Sequence, residues 1–133
     1  MRYIGFAVVA LIAATTLTAW GHHAEPEFDP QKMLRLTGSI TKVEWVNPHV
    51  NVFFNANGSL GKVEAWSFQL DAPSKLVAMG LERNVFKVGD AVTINGMPTT
   101  KGSHTLSPSQ VKLAGGQTWD ACSPPRQLSW RRC

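Results

Sequence analysis

DAPSKLVAMG, residues 71–80, is where the strand-like period of the preceding residues gives way to a helical one. Pro73 suits the first helical turn, after Asp71 or Ala72 as the capping residue. Leu76, Val77 and Met79 can share one face, and Gly80 is placed to end the segment. The spacing predicts one short helix, near Pro73 to Met79.

Upstream of it the chain reads as strands. LRLTGSITKVEWV (34–46) has strand composition with a change of phase near Gly38, which predicts a long first strand with a bulge or bend there. Asn47-Pro48 marks a turn, and His49 to Phe54 resumes the apolar alternation. Asn55 to Gly61, with Asn57-Gly58 inside it, breaks the alternation again. Lys62 to Leu70 is the third strand, with Val63, Ala65 and Phe68 as its apolar positions. Downstream, Val88-Gly89-Asp90 turns into a fourth strand, Ala91 to Gly96, and Ser109 to Leu113 is the fifth. Three strands, a helix and two strands is the order of the OB-fold, a partly open Greek-key barrel. The expected class is all-β: a small OB-like five-stranded barrel over residues 34–116, with the short helix between strands 3 and 4.

The ends read differently from the middle. MRYIGFAVVALIAATTLTAWG (1–21) has one cation, an apolar run from Ile4 to Ala14 and small residues at Ala19 and Gly21. That is the layout of a signal peptide cut before His22, and the run is short for a permanent membrane span. A cut after Ala19, leaving Trp20 in front, is the alternative. Residues 22–33 form an extended lead-in with several acids and prolines. Residues 117–133 read as a poorly ordered basic tail, broken at Pro124-Pro125. The formal charge of +4 counts Arg2, which leaves with the signal, and Arg126, Arg131 and Arg132 of the tail. The body is therefore near neutral, which argues against nucleic acid as a partner. The expected location is periplasmic or secreted. Both cysteines, Cys122 and Cys133, sit in the tail, so a bridge between them would close only a local loop and leave the core unstapled.

Histidines at the expected mature start, Thr37 to His49 with its W-x-N-P-H string, Trp66, and G-D-x-V-T-I-N-G-x-P from Gly89 to Pro98 form one set. Together they resemble a family of small exported bacterial proteins, domain-of-unknown-function family 6152. The resemblance runs from about His22 to Gly115. It implies a secreted small β-barrel and no established activity, and it carries nothing over to the tail.

Three of the four histidines, His22, His23 and His49, make the candidate metal set. A free amine and the Nδ1 of a terminal His22 can chelate one ion, and one more imidazole completes a three-nitrogen site that favours Cu(II). Glu25, Glu27 or Asp29 could add an oxygen ligand or orient a ring. The plain alternative is that His22 and His23 are disordered terminal residues and His49 hydrogen-bonds its turn. His104, in the Gly102-Ser103-His104 loop, reads as solvated, with a place on a ligand face as its other role. Trp45, Trp66 and Phe54 read as core, and Met33, Met79 and Met97 as packing rather than Cu(I) ligands.

The chain carries no nucleophile elbow, phosphate loop, paired C-x-x-C or zinc-protease string, which argues against a conventional hydrolase. Two functional classes follow. The first is binding of a transition metal, copper foremost, through His22, His23 and His49. The second is a non-enzymatic envelope interaction module for a protein or a glycan, with the histidines incidental. An oxygen-activating copper enzyme is a third, more remote reading.

Overall fold

The structure is a computed structural model that describes residues 26–121 and 130–131. Its elements are β1 (Leu34–Glu44), β2 (Asn51–Asn57), a 3-10 turn at Ser59–Gly61, β3 (Val63–Gln69), α1 (Pro73–Ala78), β4 (Ala91–Pro98), β5 (Thr105–Leu113), β6 (Thr118–Ala121) and β7 (Trp130–Arg131). Hydrogen-bonded order across the sheet is β3-β2-β1-β4-β5-β6-β7, and β3 also pairs with β5 in parallel. That last pairing closes β1 to β5 into the expected five-stranded barrel, with α1 between β3 and β4.

Helix α1 starts at Pro73 with Ala72 as its cap, and no side chain caps it. Asp71 instead pairs with Lys75 one turn on, at 3.4 Å. Of the three apolar residues expected on one face, only Leu76 is fully buried; Met79 is half-buried and Val77 is 60% exposed. Six residues expose too little of a stripe for more than one anchor. The helix therefore enters the core through Leu76, with Met79 partly buried against the same cluster.

Strand β1 pairs on both sides, and the change of partner is centred on Gly38, which faces Ala56 of β2 and Val92 of β4. A Cβ on Gly38 would lie 1.9 Å from the Asn55 carbonyl oxygen, so the backbones meet there without room for a side chain. The bulge expected at Gly38 falls further on, between Ile40 and Lys42. Strand β2 runs on to Asn57, past the expected break at Asn55. Strand β5 starts at Thr105, four residues before the expected Ser109. Pro108 lies within it, opposite Gly96, where the β4–β5 register shifts. A proline is tolerated at such an irregularity because no ladder donor is needed.

The core gathers Ile40, Val52, Phe54, Phe68, Leu76, Ile94, Leu106 and Val111, with Phe54 and Phe68 rings 5.9 Å apart. Phe54 is buried as expected. Trp45 and Trp66 are only partly buried and pack against the edge of the cluster. The apolar face of β3 is reversed from expectation at its start: Val63 and Ala65 are exposed, while Ser67 and Phe68 are buried.

The lead-in is tied to the end of β4. Phe28 bridges Thr99, the Asp29 N–H donates to the Pro98 carbonyl at 2.8 Å, and Thr100 N–H donates to the Glu27 carbonyl at 2.8 Å. At the other end, Thr118–Ala121 of the segment expected as tail instead forms β6 on β5, and Trp119 packs on the core. Residues 122–129 and 132–133, Cys122 and Cys133 among them, lie outside the described residues, as do the signal segment and its cut site.

Candidate ligand-binding site

Residue Trp66 sits on β3 directly across from the buried Phe54 of β2, so its indole lies at the rim of the core. Its Nε1–H donates to Glu64 Oε2 at 3.1 Å. The imidazole of His104 stacks on the indole, with centroids 4.5 Å apart and planes 7° from parallel. Its Nδ1 lies 3.2 Å from the Ala65 carbonyl oxygen. A carbonyl only accepts, so Nδ1 is the donor of this contact.

The loop holds His104 in place through its own bonds. The Thr99 hydroxyl donates to the Ser103 carbonyl at 2.6 Å, and the His104 carbonyl accepts from the Ser67 N–H at 2.8 Å. Ser67 and Thr105 hydroxyls meet at 3.0 Å below it. Across the strands, Phe53 stands opposite both Lys42 and Ser67, and Lys42 Nζ lies 5.3 Å from the Phe53 ring centre while pairing with Glu44. Thr41, Lys42, Phe53, Trp66 and His104 thus wall a cleft of about 400 Å³. It lies on the strand 2–3 face beside the β4–β5 loop, where OB-type barrels hold ligands.

A larger hollow of about 530 Å³ lies between the 80–90 loop and the β5–β6 hairpin, with Glu82, Lys87, Asp90 and Trp119 among its lining. The Trp119 Nε1 is buried and has no acceptor among the described residues. It is closed to solvent, so a molecule in the hollow would not meet it unless the ring moved.

His49 occupies the turn between β1 and β2 and is half-buried. Its carbonyl accepts weakly from Asn51 Nδ2 at 3.5 Å, and its ring has no hydrogen-bond partner among the described residues. His22 and His23 lie outside the described residues, as does Glu25. Among the described residues no three His, Cys, Asp or Glu side chains are grouped to hold a metal ion. Nor, among them, is any helix long and apolar enough to cross a membrane. The residue that reading the sequence undervalued is His104, since its partners Trp66 and Ala65 lie far away in the chain.

No curated protein matches the sequence. Among solved structures, the crystal structure of a tRNA fluorescent labeling enzyme is similar at a TM-score of 0.42 and 13% identity, over 83% of this chain and 27% of that one. The chain thus spans little more than a quarter of that protein's length. The model of a family of unknown function, DUF6152, matches residues 9–107, and the chain belongs to that family.

Proposed function

We propose that the protein is a non-enzymatic interaction module of the cell envelope that takes a segment of another protein in the Trp66–His104 cleft. The stack of His104 on Trp66 carries this reading, because it holds an exposed imidazole against a half-buried indole on the ligand face of the barrel. The cleft lining favours a peptide over a glycan. Phe53, Ala65 and Trp66 offer apolar contact, and among the described residues no carboxylate or amide side chain lines the cleft to read sugar hydroxyls. The apolar start of the chain, Ile4 to Ala14, supports the envelope as its location.

Selection of a random-peptide display library on the full chain tests the proposal. Selected peptides should carry an aromatic or aliphatic anchor. Their affinity should fall about thirtyfold in Trp66→Ala, as expected of a binding hot spot, and by a smaller factor in Phe53→Ala. A library that yields no binder, while a glycan array does, would replace the protein partner with a glycan. Binders indifferent to both substitutions would move the site elsewhere.

Copper binding through a mature His22, His23 and His49 is the second reading, favoured by the His49 ring, which has no hydrogen-bond partner among the described residues. The expected outcome is one Cu(II) per chain starting at His22, with Zn(II) weaker and affinity falling as protons compete for the ligands. One residue added before His22 converts the amine to an amide, and His49→Ala removes the second arm; each should weaken binding in a calorimetric titration. Equally weak binding by all three proteins would end this reading.

A further inference from the structure

One edge of β3 is paired with β2 along its whole length, from Val63 to Gln69. Among the described residues its other edge is paired only at Ser67 and Phe68, with β5. The Ser67 N–H crosses that second edge to the His104 carbonyl, so the alternation of an antiparallel ladder turns the main-chain groups of Ala65 and Val63 the same way. The His104 ring closes the Ala65 carbonyl. The Ala65 N–H and both main-chain groups of Val63 are left without a partner among the described residues. Below them the 3-10 turn at Ser59–Gly61 ends the strand.

Open edges are usually covered or guarded, since their free donors and acceptors invite another extended chain. Among the described residues this one is open, with Val63 64% exposed and Leu60, at the hairpin tip, 98% exposed. The residues along it read Lys62-Val63-Glu64, and that order is self-complementary. If two copies pair antiparallel about Val63, each Val63 exchanges both main-chain hydrogen bonds with its twin. Each Lys62 then stands across from the partner's Glu64 on one face of the joined sheet. A slip by one residue pair in either direction places Lys62 on its twin or Glu64 on its twin, which like charges oppose. The Trp66 indole already holds Glu64 by its Oε2, so the acidic partner is fixed before the copies meet.

We infer that the chain forms a two-fold homodimer by antiparallel pairing of β3 about Val63, in a register chosen by Lys62 and Glu64. The pairing is short and the dimer accordingly weak and concentration-dependent. It is independent of the cleft reading, and either can fail alone.

Sedimentation velocity of the full chain over a concentration range of about a hundredfold tests it. The unaltered protein should shift from monomer to dimer. Lys62→Glu and Glu64→Lys should each weaken association about tenfold, because two attractive cross-strand pairs become repulsive, and the double swap should restore it to within about threefold. Val63→Pro removes a donor that faces the open edge rather than β2, so the barrel should fold and the dimer should be lost. Thermal melts of each variant check the fold. A protein that stays monomeric at the highest concentration overturns the inference. So does a dimer that survives Val63→Pro, or a double swap as weak as the single changes.

Discussion

Two loops of the barrel carry a histidine each, and the structure treats them differently. The 45–50 turn holds His49 half-buried, with no hydrogen bond to its ring among the described residues. The 99–104 loop holds an exposed His104 between an indole and a carbonyl, anchored by bonds at Thr99, Ser103 and Ser67. The histidine inside a recognisable string is the unattached one. A short motif shows which residues sit together along the chain, but partners of a side chain are chosen by the fold.

The largest effect that sharpens this contrast is expected at Phe54, across the ladder from Trp66 and fully buried. Phe54→Ala should cost about 3–5 kcal/mol in denaturant unfolding, and it removes the floor beneath one loop only. Gly38→Ala should follow at about 3 kcal/mol, because a Cβ there meets the Asn55 backbone and one of the two strands must move. Trp66→Ala should cost less than Phe54→Ala, about 2 kcal/mol, since the indole is only partly buried. His104→Ala should cost about 1 kcal/mol for a lost stack and an exposed hydrogen bond. His49→Ala should change stability by less than about 0.5 kcal/mol. If His49→Ala proved the costlier of the two, the contrast between the loops would be wrong.

The fold was legible where local rules coincide. Pro73 and Gly80 bracket α1, and the strand-like runs on either side fixed the order that closes the barrel. The parts misread lack a local signal. Pro108 argues against a strand until the register shift opposite it is known. Trp119 looks like part of a basic tail until its contact with the core is seen. Val63 and Ala65 keep a clean alternation, yet it is the outward face that they occupy, because β3 is buried only where β5 joins it. The site was less legible than the fold. His104 is one histidine in a polar loop, and Trp66, on which it stacks, comes from a strand that precedes the helix. The order of the strands put the β4–β5 loop beside strand 3, and that was the available signal.

We propose that partners enter beside His104 and not beside His49. The most direct test follows the Trp66 indole N–H and the ring resonances of both histidines by two-dimensional NMR while a library-selected peptide is titrated into the full chain. Trp66 and His104 should shift together and saturably while His49 stays in place. Shifts at His49, with Trp66 and His104 unmoved, would contradict it.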